Sequence, residues 1–212
     1  MDKRIENFLQ RISYLGHDSF LIRNDKNIYF DPFHLRKDLP PADIIFVTHL
    51  HYDHFSIEDI RKIQSGGTTI VVPPDGLGKV SGNVETIRAG EEKIVDGLSV
   101  KAVPAYNIEK AFHPKSNGWI GYIVDLDGIK IYHAGDTDFI PEMKSIECDI
   151  ALLPVSGTYV MNSKEAIEAA KTIKPSVAIP IHYGEIVGSR KDAEDFKRGL
   201  EGIVEVRILE KI

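Results

Sequence analysis

The stretch "THLHYDHFS", residues 48 to 56, places His49, His51, Asp53 and His54 within six positions, directly after the apolar run "DIIFV". Imidazole nitrogens and carboxylate oxygens are donors that suit zinc, iron or manganese, and the lack of neighbouring thiolates turns the set away from structural zinc sites. The plain alternative is a surface loop that happens to be rich in histidine. That alternative leaves four polar side chains crowded together, which is costly wherever they are partly buried. His49 and His51 alternate by two, so in extended backbone both rings project to the same side. Asp53 and His54 fall at the turn into a helix for which Ser56 is the predicted N-cap.

Such a loop needs a frame. "DIIFV" is apolar without interruption, as expected of a strand buried on both faces, and loops at the carboxyl ends of such strands hold ligands. Short runs rich in Ile, Val and Tyr recur, among them "RISYLGHDSFLIR", "NIYFDP", "TTIVVPP", "LSVKAVPAY", "CDIALLP", "SVAIPIHYG" and "IVEVRIL", each bounded by turn residues. Asp127 and Gly128 separate two alternating apolar runs and predict one hairpin over residues 118 to 134. Helices are predicted at "SIEDIRKIQ", with Ile57, Ile60 and Ile63 on one face, at "SKEAIEAAKTIK", stopped by Pro175, and at "KDAEDFKRGLEG". In "MDKRIENFLQ", Ile5, Phe8, Leu9 and Ile12 have helical spacing, which suits a small helix docked on its own domain or on a second subunit of a homo-oligomer. The sum is a mixed-sheet architecture with amphipathic helices outside.

Composition bounds the function. A chain of 212 residues that is 42% hydrophobic can bury a full core, and residues 1–212 read as one domain. The net charge of −6 disfavours a protein that grips nucleic acid through a basic surface. No run reaches the roughly 18 apolar residues of a membrane span, and the first residues lack the apolar core of a signal peptide. A cytoplasmic protein is therefore expected. Cys148 is the only cysteine, so no internal disulfide forms, and it reads as core filler beside "DIALLP".

"THLHYDH" matches the HxHxDH motif of the metallo-β-lactamase-fold superfamily, and the resemblance continues through "AFHPK", "YHAGDTD" and "IPIHYG" over about residues 11 to 209. It implies an α+β fold, a four-layer αββα sandwich with the site at one edge between the sheets. It also implies two divalent metal ions, zinc first with manganese or iron as alternatives. His49, His51 and His113 would hold one ion, Asp53, His54 and His182 the other, and Asp136 would bridge them. Such a pair supplies ionised water and a Lewis acid for hydrolysis, with Asp53 orienting the nucleophile or carrying a proton. By "VPAYN", "FHPK", "GYIV" and "YHAGDTDFIPEM" the chain is similar to a compact group of metal-dependent hydrolases akin to the ascorbate-6-phosphate lactonase, and more distantly to N-acylphosphatidylethanolamine phospholipase D. His51 stands where oxygen-reducing diiron relatives tend to carry glutamate, so the resemblance implies hydrolysis rather than redox chemistry.

The expected function is hydrolysis of an ester-type bond in a small molecule: a lactone, an acyl ester or a phosphodiester. Two other readings compete with it: a metal-binding regulatory module without turnover, and a nuclease for single-stranded RNA. Several residues keep open roles. His17, in a predicted strand, either supports the site or packs; Asp31 either supports a ligand histidine or is structural. His133 is expected to be a hydrogen-bonded structural residue and His34 a solvated one. Tyr106, Tyr159 and Tyr183 lie beside the motifs and either pack or face substrate. Loops 74 to 82, 106 to 118 and 156 to 162 are expected to shape the pocket.

Overall fold

The chain supplies two successive sets of strands, the central ones apolar on both faces, and these pack as two sheets. In the computed structural model, which describes residues 2–212, the first set is β1 (Ile12–Gly16), β2 (Ser19–Arg23), β3 (Asn27–Phe30), β4 (Ile44–Phe46), β5 (Thr69–Val72) and β6 (Asn83–Thr86), side by side in chain order. The second set is β7 (Glu92–Val95), β8 (Leu98–Pro104), β9 (Ile120–Leu126), β10 (Ile129–His133), β11 (Ile150–Pro154), β12 (Val177–Ile181) and β13 (Glu205–Val206), again in chain order. Each sheet begins with antiparallel pairs and ends with parallel ones, the change falling after β3 in the first and after β10 in the second. The two halves thus share one build.

Alternation of side chains fixes the layers. Phe20, Ile22, Phe30 and Phe46 of the first sheet meet Tyr122, Val124, Ile131, Leu152 and Ile179 of the second in the central core. Their neighbours in sequence, Leu21, Tyr29, Ile45 and Ile70, point the other way, under α2 (Ile57–Ile63). On the far side, Ala151, Leu153 and Ala178 lie under α3 (Ser163–Ile173) and α4 (Arg190–Gly199). The result is the four-layer αββα sandwich. Ser56 caps α2 by accepting from the Asp59 N–H. Asn162 and Glu165 form a capping box on α3, which ends at Lys174 in left-handed conformation before Pro175. Helix α1 (Lys3–Leu9) buries Ile5, Phe8 and Leu9 against its own chain, whereas Ile12 already belongs to β1. Among the described residues no helix is long and apolar enough to cross a membrane.

Carboxyl ends of β3, β4, β10 and β12 open onto one edge of the sandwich, where polar bonds join the sheets. The Tyr122 hydroxyl donates to the Val47 carbonyl at 2.8 Å, and the His182 N–H donates to the His17 carbonyl at 3.0 Å. Gly135, with φ of 62°, lets the chain leaving β10 press on the loop after β4, for a Cβ there would lie 2.9 Å from Thr48 Cβ. Gly128 also has positive φ, 77°, in the predicted hairpin turn, but nothing lies within 4 Å of its missing Cβ.

The two glycines therefore differ in a measurable way. Gly128→Ala is expected to cost about 1 kcal/mol, the backbone term alone, and Gly135→Ala about 3 kcal/mol, because overpacking adds to it. Equal losses in urea unfolding of the two variants would mean that the Gly135 contact is not tight.

Candidate metal centre

Asp31 follows β3 in left-handed conformation, φ 40°, and its buried carboxylate organises the loop after β4. It accepts from the Thr48 N–H at 2.8 Å, the Thr48 hydroxyl at 2.7 Å and His54 Nδ1 at 2.8 Å. With its proton committed to Asp31, Thr48 Oγ1 is left as the acceptor for His49 Nδ1 at 3.0 Å. His113 Nδ1 faces Asn107 Oδ1 and the Tyr159 carbonyl at 3.0 and 3.2 Å, and His182 Nδ1 faces Ser156 Oγ at 3.0 Å. These partners hold Nδ1 of each ring outward and turn Nε2 of His49, His54, His113 and His182 inward. His51 is reversed. Its Nδ1 points inward, 3.0 Å from His49 Nε2 and 3.2 Å from His113 Nε2.

Two donor clusters result. In the first, His49, His51, His113 and Asp136 bring ligand atoms within 4.8 Å of one another. Asp136 Oδ2 lies 3.1 Å from His113 Nε2 and 3.8 Å from His49 Nε2. Four ligands on one cation with bonds near 2.1 Å stand roughly 3.4 Å apart in a tetrahedron, so these separations match a shared ion. The second cluster joins His54 and His182 to His17 and Asp18. Asp136 reaches it too, with Oδ1 3.3 Å from His54 Nε2 and Oδ2 3.2 Å from His182 Nε2. Several of these atoms, His54 Nε2, His182 Nε2 and Asp136 Oδ1, are buried without any hydrogen-bond partner. Orphaned polar atoms of that kind are rare in folded proteins and mark a missing charge, so the side chains fit divalent cations.

Protonation reflects the same crowding. Burial, then the neighbouring His54, hold His49 well below the usual imidazole range, and burial, then His113, lower His51. Burial also pulls His54 and His182 down, but it is outweighed: Asp136 and Asp31 hold His54 well above the ordinary value, and Asp136 and Asp18 push His182 up to about 9. Against burial, His182 and His54 keep Asp136 well below the usual carboxylate range.

All seven residues expected from the motifs, His49, His51, Asp53, His54, His113, Asp136 and His182, come to this edge. Asp53 differs in its surroundings, for Oδ2 accepts from His17 Nε2 at 3.1 Å and lies 3.9 Å from His54 Nε2. His17 is not in a strand as expected but in the two-residue turn between β1 and β2, with φ of 53°. His133 Nε2 donates to the Asp18 carbonyl at 2.8 Å and is structural. His34 is exposed beside Glu185, 3.6 Å away. The Tyr106 hydroxyl donates to Glu142 at 2.9 Å, Tyr183 packs on Tyr14, and only Tyr159 of the three lines the site.

A cleft of about 260 Å³ opens over the first cluster, with His51, Asp53, His113 and Asp136 in its lining and Tyr52, Phe112, Tyr159 and Ile186 as walls. None of these residues is Lys or Arg. Loops 106 to 118 and 156 to 162 contribute as expected, whereas Ile186 comes from a loop after β12 that the sequence had not suggested. Loop 74 to 82 stays outside the lining; Asp75 instead accepts from Trp119 Nε1 at 2.9 Å, and that indole backs His49 and His51 at ring distances of 4.9 and 4.8 Å. Asn107, Ser156 and Asp18 were also missed. Asp18 alone left a trace, an acid inside the predicted strand "SYLGHDSFLI".

Similarity to known proteins matches this geometry. The profile of a family described as the beta-lactamase superfamily domain matches residues 11–182. A UPF0173 metal-dependent hydrolase of Thermococcus kodakarensis is 34% identical over 216 residues, which cover 94% of this chain and 96% of that protein. The crystal structure of Igni18, a metallo hydrolase of Ignicoccus hospitalis, superposes with a TM-score of 0.80 at 27% identity, covering 94% of each chain. A hydrolase structure from Parabacteroides distasonis, described as metal-dependent, gives a TM-score of 0.84 at 33% identity over 94% of this chain and 93% of its own.

Every group around Asp31 donates to it, so an amide there sets donor against donor. Asp31→Asn is expected to cost the metal-free protein about 2 to 4 kcal/mol in urea unfolding; a loss below about 0.5 kcal/mol would show that the loop does not hang on this carboxylate.

Proposed function

Since this chain belongs to the UPF0173 metal-dependent hydrolases of the metallo-β-lactamase superfamily, we propose that it binds two divalent cations and hydrolyses a carboxylic ester or lactone of a small molecule. His49, His51 and His113 would hold the first cation, Asp53, His54 and His182 the second, and Asp136 would stand between them. Zinc is the first candidate, with manganese or iron as alternatives. The observation that carries this reading is the set of inward lone pairs of His49, His51 and His113 around Asp136 Oδ2, spaced 3.0 to 3.8 Å apart. When bound, such a pair lowers the pKa of coordinated water toward 7 and polarises the bond under attack.

The chain's own groups supply the rest. Burial would raise Asp53, but the bond from His17 and the charge of His54 keep its carboxyl below the ordinary range, so it is ionised at neutral pH. Held by His17 at the cleft floor, Asp53 can orient a water and take its proton. Trp119 and Phe112 screen the histidines with apolar surface, and Phe112 packs edge-on against Tyr159 with ring centres 4.6 Å apart. Those walls favour a neutral ester with apolar flanks. A phosphodiester or RNA would find no cationic side chain in the lining, which is why the acyl reading ranks above both.

Hydrolysis of lactones, thioesters and aryl phosphodiesters by zinc- or manganese-loaded protein tests the proposal, with His49→Ala and Asp136→Ala in parallel. Acyl turnover that falls about 10³-fold or more in both variants is expected. Turnover of phosphodiesters alone would replace the substrate class. Full activity in either alanine variant would sink the ligand assignment, and metal uptake without turnover of any probe would favour the binding module. Phe112→Ala is expected to raise KM about tenfold with kcat little changed, the signature of lost substrate contact.

A further inference from the structure

We propose that Asp18 is a direct ligand of the second cation, joining His54, His182 and Asp136 in a carboxylate-rich site behind the first; this rests on the two-cation reading above. Asp18 follows His17 in the turn between β1 and β2 and has no exposed surface. Neither of its oxygens receives a hydrogen bond. The contrast with other buried acids is direct. Asp31 is filled by Thr48 and His54; Asp59 accepts from the N–H groups of His34 and Leu35 and from Ser56 and Lys62; Asp138 accepts from Asn107, Ile108 and Lys110. Among the described residues only Asp136, proposed above to stand between the two cations, shares with Asp18 a buried carboxylate oxygen without a partner. An ionised carboxylate buried in that state costs several kcal/mol unless a positive charge meets it.

The distances indicate where that charge belongs. Asp18 Oδ2 is 3.8 Å from His54 Nε2 and 4.0 Å from His182 Nε2, both buried and both unpartnered. Two ligands of one ion with bonds near 2.1 Å stand about 3 Å apart at a right angle and about 4.2 Å when opposed, so both separations fit one cation. His17 Nε2 lies 3.5 Å from Asp18 Oδ2 without a hydrogen bond and donates instead to Asp53 at 3.1 Å. His17 is therefore a positioning residue for Asp53, and Asp18 is free to face the ion. The two sites then differ in kind, with three imidazoles and one carboxylate around the first ion, and two imidazoles with up to three carboxylates around the second. Harder, oxygen-rich spheres suit manganese or iron as well as zinc.

Cobalt binding separates the inference from the reading beneath it. Metal-free wild type, Asp18→Asn and Asp18→Ser are dialysed against graded free Co²⁺, cobalt per chain is measured by elemental analysis and visible absorption, and cooperative thermal unfolding verifies that each variant is folded. Two equivalents are expected in wild type. In both variants the first equivalent should stay within about twofold while the second weakens at least about tenfold, and the rise in melting temperature that accompanies it should shrink. An unchanged second equivalent in the folded variants overturns the role of Asp18 and leaves it a neutral buried acid. A wild type that takes one equivalent or none overturns the two-cation reading itself.

Discussion

Three hydrogen bonds into the carboxylate of Asp31 decide whether the loop after β4 can present anything at all. Thr48 and His54 donate to it, Thr48 thereby turns His49, and the HxHxDH segment leaves the strand with its lone pairs already aimed. Remove that acceptor and the histidines lose their orientation before any question of chemistry arises. The remaining side chains answer to the same seam. Asp136 can reach both donor clusters because Gly135 lets its loop lie against Thr48, and His182 is aligned with the turn that carries His17 and Asp18 by a backbone hydrogen bond across the sheets.

Backbone strain is also found at this edge. His17, Asp31 and His182 all adopt positive φ, 53°, 40° and 57°, a conformation that costs a residue with a Cβ about 1 to 2 kcal/mol. Each follows the end of a strand and turns its side chain sharply into the space between the sheets. The fold supports this because the two sheets share a large apolar core, in which aromatic side chains such as Phe30, Phe46 and Tyr122 are fully buried. The stable frame and the strained rim are parts of one arrangement, and such strain is a recurring feature of functional sites.

What could be read from the sequence followed from how local the signal was. His49, His51, Asp53 and His54 announce themselves because they are neighbours in the chain, and the layers follow from runs such as "DIIFV" whose alternate residues face opposite cores. The Asp127–Gly128 hairpin is equally local. His113, Asp136 and His182 lie far apart in sequence and were tied to the motif by the resemblance, while their supports, Asn107 and Ser156, carry no pattern. Asp18 carries little signal of its own because the pair "HD" reads as part of one long strand; the chain turns there, and the turn drives both side chains inward. The apolar walls depend on loop conformation, as Ile186 shows, and periodicity says nothing about loops.

The cleft reaches His51, Asp53, His113 and Asp136, whereas Asp18, His54 and His182 are sealed behind them. In the two-cation reading, an ion at the inner position would lie behind this cleft lining, with Asp53 and Asp136 the proposed ligands that reach the cleft. Its exchange with solvent would then run beside the outer ion, so that filling the outer position would slow loss from the inner one and the inner ion's residence time would depend on how often the outer one is vacant.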